Sequence, residues 1–288
     1  MRSSQSHFLA LRGLRYHVRT WGDPAAAPLV LLHGWMDVSA SFQFLVDELQ
    51  HPWYVIAPDW RGFGLSQWAP DGTYWFPDYI ADLDALLRQF SPHAPIRIVG
   101  HSMGGNVAGL YAGARPQRVE RLALLEGFGL PRTAPDAAAG RYAKWLDELS
   151  QPPSLKPYAS FEEVEARLMK NNPRLTPEQA RFLAPHWAIR RETGEVVLAA
   201  DPAHKMVNPV LYRLDEALAC WRRIEAPTLW VWGDGKWMRD WFKTGEEDLA
   251  VRRAAFRDLR ELTLADAGHM LHHDRPRELA QAIEAFFC

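Results

Sequence analysis

The chain has 288 residues, 48% of them apolar, which suits one large domain, or one domain with an insertion, and excludes a disordered chain. Its 33 basic and 35 acidic residues leave a formal charge of −2, which argues against nucleic acid or an anionic membrane surface as the main partner. Two distant cysteines, Cys220 and Cys288, do not make a disulfide framework or a cysteine-based zinc site.

No apolar run follows the first residues as in a signal peptide, and no stretch reaches the roughly 18 apolar residues of a bilayer span, so the expectation is a cytoplasmic protein without membrane insertion. In chain order, residues His7 to Leu11 and Arg15 to Trp21 read as an antiparallel hairpin turning near Gly13. Short continuous apolar runs follow at Leu29–Leu32, Tyr54–Ala57, Ile96–Val99, Leu122–Leu125, Thr228–Trp232 and Leu262–Ala265. Such runs fit strands buried on both faces of a parallel sheet. Helical periodicity separates them at Phe42–Leu49, Tyr79–Phe90, Met103–Ala114 and Leu279–Phe287. This alternation is the signature of an α/β fold.

The rhythm breaks between Pro131 and Arg222, where prolines punctuate helical segments such as Ala137–Leu149 and Phe161–Lys170, with Ser160 and Thr176 as N-caps. This reads as a mostly helical insertion. The 13 tryptophans are in excess and point to an aromatic-lined cavity, although ordinary packing accounts for most single ones.

The string Gly100-His101-Ser102-Met103-Gly104 joins a buried strand to a helix. G-x-S-x-G alone is a weak signal. Between a strand and a helix it becomes strong, because a very sharp turn lifts the serine above the sheet and aims the helix N-terminus at the reacting centre. A serine hydroxyl needs a base. His269, in Asp266-Ala267-Gly268-His269-Met270 beyond the last strand, is placed to reach it. Acyl transfer also needs fixed N–H donors for an oxyanion, and the backbone N–H groups of Trp35 and Met103 are the candidates. His33 reads as structural. His272 and His273 read as solvated loop or helix residues. No second ligand cluster completes a metal site along the sequence, so neither metal nor cofactor is expected.

These residues resemble the α/β-hydrolase fold serine hydrolases. The matching strings are HGW at His33 to Trp35, DWRGFGLS at Asp59 to Ser66, GHSMGG at Gly100 to Gly105 and AGH at Ala267 to His269. The opening HGWMD and GHSMGG are also similar to the serine-hydrolase-like (kraken-type) subgroup. The resemblance implies a core over 1–130 and 223–288 and a helical cap over 131–222. Asp59, Arg61, Gly62 and Gly64 are expected to shape a tight loop, with Trp60 touching the pocket.

One position departs from the family. The acid that orients the histidine usually follows the strand Thr228 to Trp232, and the residue at that spacing is Lys236. A lysine cannot accept the imidazole N–H. Asp234 from the same loop is one substitute. Glu126, at the end of the preceding strand, is the other and the preferred one, because some relatives, including one branch of haloalkane dehalogenases, carry their acid there. Ser102 in place of an aspartate nucleophile disfavours dehalogenation.

The expected chemistry is hydrolysis of a small or medium carboxylic ester, a small-molecule substrate, through an acyl-enzyme on Ser102. Trp60, Trp75, Trp187, Trp237 and Trp241, with Trp35, are the candidate aromatic lining. The alternatives are another acyl bond (thioester, lactone, amide or carbon–carbon), or a non-hydrolytic ligand receptor on the same scaffold.

Overall fold

The structure, a computed structural model, describes residues 1–234 and 245–288. Strands β1 (Gln5–Leu11) and β2 (Leu14–Trp21) form the expected hairpin. Its two turn residues, Arg12 (φ 48°) and Gly13 (φ 83°), are both left-handed, the backbone that matches the natural strand twist. The following strands are β3 (Pro28–Leu32), β4 (Tyr54–Pro58), β5 (Ile96–His101) and β6 (Val119–Leu125). β9 (Thr228–Gly233) and β10 (Leu259–Leu264) complete an eight-stranded sheet of order β1-β2-β4-β3-β5-β6-β9-β10 among the described residues. From β4 to β10 all pairings are parallel.

Each expected strand is present. β10 begins three residues before Leu262, and its first half carries Arg260 and Glu261, which are exposed. Among the described residues it is an edge strand, paired on one side only, so polar residues are tolerated there and the apolar run is short.

Helices cover both faces. On one lie α2 (Phe76–Phe90) and α3 (Met103–Ala114), whose Leu83, Leu87, Val107 and Tyr111 pack with Val30, Ile98 and Leu124 of the sheet. On the other lie α1 (Gln43–Glu48) and the C-terminal helix Pro276–Phe287. That last helix buries Leu279, Ala280, Ile283, Phe286 and Phe287, one stripe at helical spacing. Each large member contributes roughly 1.5–3 kcal/mol, an upper bound taken against an extended unfolded chain.

The insertion holds α4 (Ala138–Ser150), α5 (Phe161–Asn171), α6 (Pro177–Trp187) and a small hairpin, β7 (Ala188–Arg190) with β8 (Val196–Leu198). It has its own small core of Val164, Leu168, Leu175, Ala180, Leu183 and Val196. Thr176 is an N-cap with a complete capping box to Gln179. Ser160 occupies the cap position of α5 without a side-chain capping bond.

Helix α7 (Leu214–Trp221) packs its Leu214, Ala217, Leu218 and Trp221 into the cluster that also holds Val107 and Tyr111 of α3. Helix α8 (Glu246–Arg253) adds Leu249 to the same cluster. Helices α9 (Leu271–Asp274) and α10 (Pro276–Phe287) close the chain.

Candidate active site

Ser102 sits at the corner between β5 and α3 with φ 51° and ψ −115°. A non-glycine residue pays a strain cost there, and the surrounding backbone over-determines it. The Ser102 N–H donates to the Leu125 carbonyl of β6 at 2.8 Å, and its own carbonyl accepts from Asn106 N–H at 3.0 Å. The first N–H groups of α3, beginning with Met103, have no partner within the helix and carry its positive dipole end.

The loop after β3 runs beside this corner. A Cβ at Gly34 would lie 3.2 Å from Ser102 Cβ and 3.0 Å from His101 Nδ1. That proximity places the His33–Trp35 backbone next to the nucleophile. His33 anchors the loop: its Nε2 accepts from the Trp60 N–H at 2.9 Å and its Nδ1–H donates to the Gly34 carbonyl at 2.7 Å. Burial pushes the His33 pKa down, which keeps its ring neutral for this dual role.

His269 lies on the loop between β10 and α9. Its carbonyl accepts from His101 Nε2 at 2.8 Å, and the neighbouring Gly268 N–H donates to Asp274 Oδ2 at 2.7 Å. Its Nδ1 is 3.9 Å from Glu126 Oε2. Glu126 directly follows β6, is 5% exposed and has φ 51°. Its Oε1 accepts from the Gly233 N–H at 2.6 Å, so one carboxylate oxygen is fixed while the other faces His269.

Asp234 is engaged elsewhere. It is exposed, and its Oδ2 accepts from the Asp266 N–H at 2.8 Å, which braces the turn where Asp266 has φ 53°. Ser102, Glu126 and His269 all line one cavity of about 750 Å³, which residues of α4, α5 and α6 also line, and Asp234 does not.

The profile of the α/β hydrolase fold family matches residues 27–276. The chain belongs to that family. It is 30% identical over 217 residues to the serine hydrolase-like protein of Danio rerio, across 73% of this chain and 66% of that protein. It is 28% identical over 187 residues to serine hydrolase-like protein 2 of Homo sapiens, across 62% and 59%. The matched region therefore spans less than two thirds of both relatives. The thioesterase domain from the curacin biosynthetic pathway superposes with a TM-score of 0.85 at 25% identity, covering 98% of this chain and 99% of that domain. No described helix of this chain is long and apolar enough to cross a membrane.

Of the aromatic residues expected around the pocket, Trp35, Trp75 and Trp187 line the cavity. Trp60 does not. It is 1% exposed, its indole N–H donates to the His33 carbonyl at 2.9 Å, and its ring packs edge-on against Tyr79 in the core. Its place in the tight loop suggested the pocket, but a rigid loop also needs an apolar anchor. Trp237 and Trp241, like Lys236, lie outside the described residues.

The DWRG loop is structural, as expected. Asp59 accepts from the N–H groups of Ser39 and Leu65 at 2.7 and 2.9 Å and meets His17 Nδ1 at 2.7 Å. Arg61 makes a two-pronged pair with buried Asp82 at 2.5 and 2.8 Å. The inserted segment supplies cavity residues that sequence reasoning missed, among them Trp145, Leu149, Arg174 and Met206. Trp145 and Leu149 lie on the amphipathic helix α4, and Arg174 and Met206 on connections, so only the fold decides which way they face.

His272 and His273 are not solvated. They are 0% and 4% exposed. His273 Nε2 meets the Ser41 hydroxyl at 3.1 Å, and burial pushes its pKa down to about 3. The His-His-Asp run of α9 looks polar in sequence, yet the short helix turns both imidazoles inward behind the nucleophile.

Proposed function

We propose that the protein hydrolyses small to medium carboxylic esters with an apolar or aromatic acyl part, through an acyl-enzyme on Ser102. The observation that carries this reading is the strained Ser102 corner sharing one largely apolar cavity with His269, itself backed by Glu126 at 3.9 Å. Ser102 Oγ attacks the carbonyl carbon and its proton passes to His269 Nε2. The N–H groups of Met103 and Trp35 receive the oxyanion. His269 returns the proton to the leaving alcohol, then takes one from water as its hydroxide attacks the acyl carbon, and passes that proton to Ser102 Oγ as the acid leaves. Glu126 Oε2, 3.9 Å from Nδ1, closes on the Nδ1–H as the imidazole takes up the proton, which holds Nε2 as the base. The segment from residue 131 to α7 serves as a cap that shapes the acyl site.

A thioester is the second reading, favoured by the close superposition on a thioesterase domain. The same steps serve it, with a thiol leaving in place of an alcohol. The test is labelling with a fluorophosphonate probe, then turnover of p-nitrophenyl esters of graded chain length against matched acyl thioesters. Ser102→Ala is expected to abolish both labelling and turnover. Labelling of an intact Ser102→Ala protein, or its normal esterase activity, overturns the assignment.

A further inference from the structure

Along the sequence His272 has no completing ligand cluster, but the fold brings one to it. His101 ends β5, one residue before the nucleophile. Asp37 lies on the loop after β3, and His272 lies in α9. The three are 1%, 2% and 0% exposed. One ligand-capable atom from each lies within 4.8 Å of the other two. His272 Nε2 is 3.7 Å from Asp37 Oδ2, beyond hydrogen-bonding distance, and the His101 and His272 ring centroids are 4.6 Å apart.

What each residue does with its other polar atom is informative. His101 Nε2–H donates to the His269 carbonyl, so Nδ1 carries the lone pair. Asp37 Oδ1 accepts from the Val38 N–H at 2.8 Å and from the Ser41 hydroxyl, which leaves Oδ2 turned toward the imidazoles. His101 Nδ1, Asp37 Oδ2 and both ring nitrogens of His272 are buried and have no hydrogen-bond partner among the described residues. Buried polar atoms without partners are costly in a protein interior. His101 and Asp37 are each oriented through the far atom, by a backbone carbonyl and by a backbone N–H with a hydroxyl, as ligands at metal sites are.

We propose that Asp37, His101 and His272 bind one divalent first-row transition-metal ion of the zinc class. Two imidazoles and one carboxylate suit Zn²⁺, Co²⁺ or Ni²⁺, whereas Ca²⁺ and Mg²⁺ prefer sets made of oxygen alone. Ligand atoms about 2.0–2.1 Å from a tetrahedral zinc stand roughly 3.3–3.5 Å apart, so the 3.7 Å pair needs only a small contraction. The ion ties together the loop after β3, the end of β5 and the segment carrying His269. It is a clamp behind the nucleophile, and its existence does not depend on which acyl bond the enzyme cleaves.

The test uses the full chain, stripped with a chelator and titrated with Zn²⁺ by calorimetry. The expected result is one ion per chain, a raised Tm, and binding at least 100-fold weaker in Asp37→Asn and His272→Gln. Exposed His93 precedes the start of β5, at the opposite end of that strand from His101, and His93→Gln is expected to bind as the wild type does. Should a ligand variant fail to fold, X-ray absorption on the zinc-loaded wild type decides through its outer shells, where two imidazoles are expected. Absence of saturable binding, fewer than two imidazoles, or undiminished binding in both ligand variants overturns the proposal.

Discussion

Replacing Glu126 by glutamine tests the least regular part of the site. Glu126 is buried, and its two oxygens have different tasks: Oε1 accepts from the Gly233 N–H at 2.6 Å, and Oε2 faces His269 Nδ1 at 3.9 Å. An amide has one acceptor oxygen. If that oxygen stays on Gly233, the NH₂ group confronts the Nδ1–H of His269 and drives the ring to the tautomer with its proton on Nε2. If the amide flips, NH₂ confronts the Gly233 N–H and a buried donor is stranded. The first orientation removes the base that Ser102 needs, and the second keeps it only by stranding the Gly233 N–H against a second donor. A wrong-tautomer imidazole costs about 10⁴ in kcat in serine hydrolases of this chemistry, or about 5.4 kcal/mol. Glu126→Gln is therefore expected to lose three to four decades of kcat/KM on a p-nitrophenyl ester. Asp234→Asn keeps an acceptor for the Asp266 N–H and is expected to stay within about threefold, as surface substitutions do. Thermal melts of both proteins exclude unfolding as the cause. If Asp234→Asn loses two decades or more while Glu126→Gln stays within tenfold, the acid is Asp234 and the reasoning fails.

Two further predictions concern the cavity wall and acid stability. Trp60→Phe strands the buried His33 carbonyl and is expected to cost about 1–3 kcal/mol of stability with KM unchanged. Trp75→Ala, on the cavity, is expected to raise KM for apolar esters several-fold, and the opposite pattern in the two proteins would reverse their assignments. His204 and His273 have pKa values pushed down by burial to about 3, against about 6.5 in an unfolded chain. The unfolded state thus binds more protons below pH 6.5. The stability these groups contribute is present above that value and is lost as pH falls toward 3, by up to about 1.4 kcal/mol per pH unit for each imidazole. Tm is expected to fall steadily from pH 6.5 to 4.5, His204→Gln is expected to flatten the decline, and a level Tm would refute the burial argument.

The parallel core was legible because burial on both faces leaves a continuous apolar run, and Ile96–Val99 or Thr228–Trp232 allow few other readings. Ser102 and His269 were legible because their local strings encode geometry, a sharp corner and a loop beyond a strand. The Asp37–His101–His272 cluster was not, since three segments distant in sequence meet only when the sheet is assembled. The inward turn of α9 was hidden for a related reason. A helix of four residues is too short to show periodicity, and its direction is set by packing against Phe42.

The tightest constraint on the site is a contact between backbones. Gly105, in the first turn of α3, packs against the end of β5 and against Gly127, the residue after Glu126. A Cβ at Gly105 would lie 2.8 Å from the Gly100 carbonyl oxygen and 3.0 Å from Gly127 Cα. Both neighbours are backbone and cannot rotate aside, so Gly105→Ala must push α3 away from β5 and β6 by a few tenths of an ångström. That displacement separates the segment bearing Ser102 from the one bearing Glu126. Overpacking of this kind costs about 1–3 kcal/mol of stability, and misplacement approaching 1 Å costs up to about a hundredfold in rate. Gly105→Ala is expected to lower kcat ten- to hundredfold as well as Tm. Gly140, within α4, has nothing within 4 Å of an added Cβ, so Gly140→Ala is expected to gain roughly 0.5–1 kcal/mol through helix propensity with activity unchanged. Wild-type kcat and Tm in Gly105→Ala would mean that nucleophile and acid tolerate independent movement, and the case for a preorganised site would lose its mechanical basis.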